Sequence, residues 1–202
     1  MFILLILFGI FGWFLPLSAA EDLLPPQKLI HEVSEQIRQE LRKQKDGEIS
    51  VQEATRIVKR FIEPHVDFDR FAALVLGKHW RRATPEQRRR FREAFKAFLI
   101  RTYAVTHAKY VDWRIRFLPI KHWRPQVNKI IVRTEFYRPG AEPVPVDFRM
   151  IRKPDGWKVY DVIIEGISLV KNYRTSFTRE ISKIGLEGLI AKLEAHNREA
   201  VQ

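Results

Sequence analysis

The chain has 202 residues, a formal net charge of +12 and no cysteine. That excludes a disulfide framework, a catalytic thiol and an acylated amino-terminal cysteine. The length allows one domain with a sizeable core. The cationic excess calls for an anionic partner.

Residues 1–20 carry no charged side chain, and Phe2 to Leu17 is a nearly continuous apolar run. Ser18-Ala19-Ala20 then supplies small residues of the kind a signal peptidase needs. This predicts a secretory signal cleaved after Ala20, with residues 21–202 as a single domain. The same run is close to the ~20 residues that span a bilayer, so a membrane anchor is the alternative. For an exported chain, anionic lipid headgroups or acidic protein faces are the expected partners. Nucleic acid is not, since no helix-turn-helix or zinc pattern is present.

Leu24-Pro25-Pro26 reads as an extended lead-in. From about Gln27 to Gln44, Leu29, Ile30, Val33, Ile37 and Leu41 form one apolar stripe, which predicts an amphipathic helix ended by Asp46-Gly47. Ser50 and Glu53 form a capping-box pattern before a second helix carrying Val51, Ala54, Ile57, Val58, Phe61 and Ile62, stopped by Pro64. Asp67 can cap a short helix with Phe68, Phe71, Leu74 and Val75, ended by Gly77. Thr84-Pro85-Glu86-Gln87 is a strong helix start. The helix it opens has an aromatic face of Phe91, Phe95, Phe98, Leu99 and Tyr103, which suits core packing or ligand contact.

From Tyr110 the apolar period drops to two. Trp113, Ile115 and Phe117 alternate with arginines; so do Ile130, Val132, Thr134 and Phe136, then Val144, Val146, Phe148 and Met150, with polar neighbours. Lys153-Pro154-Asp155-Gly156 is a tight turn into a fourth strand, Trp157 to Ile164. Gly166 breaks that strand, and Leu169, Tyr173, Phe177 and Ile181 then recur every four residues as a helix. A turn at Gly185 precedes Leu186, Leu189, Ile190 and Leu193. The order predicts an α+β fold: a curved, cone-like four-stranded antiparallel sheet wrapped by N- and C-terminal helices around an apolar pocket. Such a pocket is dry and suits an acyl chain.

The chain has no Gly-x-Ser-x-Gly elbow and no phosphate-binding glycine loop, and no two of its six histidines stand at metal-ligand spacing. His31 and His65 read as structural. Asp161 and Glu165 interrupt the apolar strand, either as a buried acid pair or as carboxylates bound to backbone or arginine. Asp161 is the one candidate acid or base for an enzyme acting on an apolar small molecule. Lys78, Arg81, Arg82, Arg88, Arg89, Arg90 and Arg92 form a basic run beside the aromatic helix. It reads as a solvated face, or as cations at a pocket mouth suited to phosphate.

Three stretches, 64–104, 156–177 and 184–197, resemble the MlaC family, the periplasmic phospholipid-binding proteins also called the toluene-tolerance family. Trp80 with Thr84-Pro85-Glu86-Gln87, and the later Trp157, Tyr160, Asp161 and Val162, carry the resemblance. It implies a periplasmic, monomeric, non-enzymatic carrier with no cofactor, whose cargo is a phospholipid. It also implies two partners: an outer-membrane lipoprotein–porin complex, and an inner-membrane ABC transporter with an MCE-domain subunit. The expected role is to shuttle lipid between them and so maintain outer-membrane lipid asymmetry. On that reading Leu99, Tyr103, Trp113, Ile115, Val132, Phe136, Val146, Phe148, Val162, Ile164, Tyr173 and Phe177 are expected to line the pocket. A structural envelope adaptor with a filled core is the remaining alternative.

Overall fold

A computed structural model describes residues 23–43, 50–108, 113–121 and 123–199. The expected leader, residues 1–20, and the Asp46-Gly47 stop lie outside the described residues.

Helix α1 is Pro25–Arg42, so the two prolines open the helix instead of leading into it. Proline fits there because the first helical positions need no N–H donor. The Leu24 N–H donates to Gln27 Oε1 at 3.0 Å. Helix α2, Val51–Ile57, starts at Ser50, whose hydroxyl accepts from the Glu53 N–H at 3.1 Å. It does not run regularly to Pro64. It widens into a π turn, Val58–Ile62, and then a 3-10 turn, Glu63–His65, that contains the proline.

Helix α3, Phe68–Leu76, is capped by Asp67, which accepts from the Arg70 N–H at 3.0 Å, and ends at Gly77 with φ 55°. The Asp67 N–H donates to the Val159 carbonyl at 2.8 Å, and Lys153 Nζ lies 2.8 Å from the Asp67 carboxylate. One residue therefore caps the helix and ties its start to the sheet. A short helix α4, Lys78–Arg82, follows, and α5 is Pro85–Ala108. The reciprocal capping box forms as expected: the Gln87 N–H donates to Thr84 Oγ1, and the Thr84 N–H to Gln87 Oε1, both at 3.1 Å. Thr84→Ala is expected to cost about 1 kcal/mol, read as a small fall in urea midpoint with unchanged slope.

The sheet has five strands, not four, all antiparallel and in order: β1 Arg114–Phe117, β2 Lys129–Tyr137, β3 Val144–Lys153, β4 Gly156–Ile164 and β5 Ile167–Ser168. The fifth arises because the chain does not pass directly from Gly166 into a helix. Glu165 and Gly166 both take positive φ, 49° and 81°, and close a two-residue hairpin that pairs Ile164 with Ile167. Two left-handed residues match the twist of flanking strands, which is why such a turn tolerates little but glycine or a polar residue.

Helix α6, Leu169–Glu199, bends at Gly185, where φ is 74° and ψ 172°. Lys192 Nζ lies 2.6 Å from Glu180 Oε1. Twelve helical residues would span about 18 Å, so the two arms fold back on each other.

A small cluster of Ala54, Val58 and Ile100 joins the α2 region to α5, beside two larger apolar cores. One joins α3, α5 and α6, with Phe95 meeting the rings of Phe71, Phe91, Tyr173 and Phe177 at centroid distances of 5.4–5.7 Å. The other packs Ile30 of α1 on Val132, Met150, Trp157 and Val159 of the sheet.

Candidate functional site

Cross-strand register decides which expected pocket residues share a face. Ile115 pairs with Phe136, Val132 with Phe148, Phe148 with Val162, and Val146 with Ile164. Partners in an antiparallel ladder point the same way, and so do residues two apart in a strand. All seven strand residues therefore stand on one face of the sheet.

A bulge makes this possible. The β3–β4 register shifts between Arg149 and Met150, so that Arg149 faces Asp161 while Met150 faces Val159 and Tyr160 is extra. Strict alternation would put Val159 and Asp161 on one face and Val162 on the other. The extra residue reverses the phase, as bulges do. Val162 and Ile164 thereby join Val159, and Asp161 turns away from the apolar face.

Along that face Val132 is fully buried, while Ile115, Phe136, Val146, Phe148, Val162 and Ile164 remain half-buried. Phe148 and Val162 pack on the sheet core. The four helical members are placed differently. Leu99 and Phe177 are buried in the helical core, with Tyr103 and Tyr173 packed against it. The two tyrosine hydroxyls lie 3.3 Å apart. Burial pushes the Tyr173 phenol well above its usual range, and the Tyr103 hydroxyl adds to the effect. Trp113 stands at the start of β1; its carbonyl accepts from Arg38 Nη2 at 3.0 Å, and Arg138 lies over its ring at 5.3 Å. The expected lining thus gathers into a sheet face and a helical aromatic cluster that belong to separate cores.

Asp161 is fully buried. Its Oδ2 accepts from Ser168 Oγ at 2.7 Å, and its Oδ1 from the Val170 N–H at 3.0 Å. Arg149 Nη1 is 3.5 Å away. Of the two sequence readings, the second holds: a carboxylate bound to backbone and arginine. Both oxygens are engaged at the first turn of α6, where the helix dipole favours negative charge. Glu165 is exposed at the hairpin turn, so there is no buried acid pair. His65 is half-buried. Desolvation, aided by Lys158, lowers its pKa below the usual range. Among the described residues no cluster of three metal-ligating side chains occurs, and no helix is long and apolar enough to cross a membrane.

Part of the basic run of α4 and α5 is engaged within the chain, while Arg81 and Arg82 stay exposed. Arg88 donates to the carbonyls of Trp80 and Arg81 at 2.9 and 3.2 Å. Arg89 pairs with Glu86. Arg90 reaches Glu187 and Glu194 on the returning arm of α6, and Arg92 reaches Asp69. Arg88, Arg90 and Arg92 thus tie α5 to α4, α6 and α3.

Sequence patterning passed over a concave feature of the sheet. A groove of about 630 Å³ is lined by Ile120, Lys121, Lys129, Ile131, Arg133, Arg149 and Tyr160, with Pro119, Val127 and Ile130. Lys129, Ile131, Arg133 and Arg149 belong to the opposite sheet face from Val132 and Phe148, since Ile131 pairs with Arg149. The signal was present in the polar half of the β2 alternation.

The family model for the MlaC protein matches residues 31–195. The chain belongs to the MlaC family. It is 26% identical over 141 residues to the intermembrane phospholipid transport system binding protein MlaC of Haemophilus influenzae, covering 68% of this chain and 65% of that one. It is 29% identical over 129 residues to the toluene tolerance protein ttg2D of Pseudomonas putida, covering 63% and 59%. The match therefore spans less than two thirds of the length of each of these relatives. The MlaC-family fold is also seen in a phospholipid-binding protein from Ralstonia solanacearum, solved in complex with a phospholipid. The TM-score is 0.79 and the identity 30%, over 89% of this chain and 100% of that one.

Proposed function

We propose that this chain is a periplasmic phospholipid carrier. It would receive lipid at one membrane complex and deliver it at another, between an outer-membrane lipoprotein–porin complex and an inner-membrane ABC transporter with an MCE-domain subunit. The observation that carries the reading is the likeness, over the whole of that chain, to a structure holding a phospholipid. The half-buried apolar sheet face supports it, because it offers acyl tails an apolar surface. Residues 1–20 would be the export signal, and the outcome would be maintained outer-membrane lipid asymmetry.

Magnitudes dictate how such a carrier works. Two acyl chains hold roughly 30 methylenes, each contributing ~0.8 kcal/mol when removed from water. A bilayer interior offers nearly the same. Transfer between membrane and protein is then close to neutral, while escape into water is very slow. Release requires a docked acceptor.

Native mass spectrometry of the protein purified without detergent tests this. The expected spectrum shows a mass excess equal to one diacyl phospholipid, confirmed by extraction. A bare protein mass, persisting after incubation with liposomes, would mean a filled core and reject the carrier reading.

A further inference from the structure

A carrier that releases lipid only when docked needs a surface that recognises its partner, and the groove on the outer sheet face has the chemistry for one. Lys121, Lys129, Arg133 and Arg149 line it together with Ile120, Ile131 and Tyr160. Ile131 is 38% exposed, among the described residues one of three large apolar side chains left so open, and sits in β2 between Lys129 and Arg133. None of Lys121, Lys129 and Arg133 forms an ion pair among the described residues, whereas Arg89, Arg90 and Arg92 each meet a carboxylate. Asp147 stands opposite Arg133 in the β2–β3 register but does not close to ion-pair distance. Arg149 is shared with Asp161 at 3.5 Å and keeps 35% of its side chain in solvent.

We propose that this groove docks an acidic polypeptide segment of a partner protein, with apolar residues seated on Ile131 and Ile120 and carboxylates on Lys129, Arg133 and Lys121. The proposal rests on the carrier reading for its purpose but not for its geometry. Unpaired cations around an apolar floor complement alternating acidic and apolar side chains, and such complementarity steers encounter and fixes register. Shape favours a chain over a bilayer. The groove is concave, walled by Pro119, Ile120 and Lys121 from the segment before β2, and its open apolar residue lies mid-strand. A membrane-binding surface instead presents apolar side chains where they can sink into the headgroup layer, with a basic face above.

The test is an NMR titration of the lipid-loaded, full-length mature chain with a short synthetic peptide alternating glutamate and leucine. A lysine–leucine peptide and phosphatidylglycerol vesicles serve as comparisons. Saturable shifts concentrated at Ile131, Arg133, Arg149 and Tyr160 are expected, absent with the lysine peptide. The double variant Lys129→Glu/Arg133→Glu, whose fold is checked by its melting temperature, is expected to bind the acidic peptide at least about tenfold more weakly. Shifts scattered over the surface, no shifts, or equal binding by the double variant would overturn the proposal. So would vesicle binding that the double variant abolishes while the peptide has no effect, which would assign the groove to a membrane surface. Lipid load, weighed on the same samples, reports separately on the carrier reading.

Discussion

Replacing Asp161 by alanine is expected to destabilise the fold by about 3–5 kcal/mol. The carboxylate is fully buried and accepts from the Ser168 hydroxyl and the Val170 N–H. Hydrogen bonds to a charged group contribute about 1.5–3 kcal/mol each, and donors left buried without a partner cost their desolvation. Arg149 adds less to the loss, because its half-open side chain can turn to water. At this size the change corresponds to a fall in Tm of about 10 °C. Urea denaturation with unchanged slope measures it. A midpoint equal to wild type would show that the α6 start does not depend on Asp161. Asp161→Asn keeps the shape and one acceptor, so a smaller loss is expected. It is also expected to keep its lipid, whereas an enzyme with Asp161 as its base would lose turnover.

Placing a charge on the apolar sheet face is expected to empty the carrier without unfolding it. Val146 and Ile164 face each other across β3 and β4 and are half-buried, outside the fully packed part of the sheet. A carboxylate there can reach water in the free protein. With acyl tails against it, it would be buried at a cost of several kcal/mol. Since 1.4 kcal/mol is a tenfold change in affinity, Val146→Glu is expected to weaken lipid binding by about 100-fold or more. Native mass spectrometry of the purified variant, with circular dichroism to confirm the fold, decides the matter. A folded Val146→Glu protein with full lipid load would place the tails elsewhere.

Much of the architecture was legible because it is written locally. The Thr84–Gln87 capping box, the Asp67 cap and the Gly77 stop involve residues three or four apart, and each forms as expected. Strand alternation located the first four strands, since solvent on one side and core on the other act residue by residue. The fifth strand was hidden in two residues after the Glu165-Gly166 turn, too short to show any period. Helix α4 was missed for a similar reason, with five residues and no buried face of its own.

The sequence by itself determined an α+β chain with an apolar strand face, a helical aromatic cluster and an excess of cations, because periodicity and charge are properties of neighbours along the chain. Only the tertiary structure decided what those features meet. The Tyr160 bulge chose the face of Val162 and Ile164, and turned Asp161 toward the start of α6, where it accepts from the Val170 N–H. The bend at Gly185 brought Glu187 and Glu194 onto Arg90, so one arginine of the most basic stretch became a clamp between helices. Lys129 and Arg133, in a weaker pattern, were left facing solvent beside Ile131. Register and charge pairing depend on residues far apart in sequence, and no local pattern contains them.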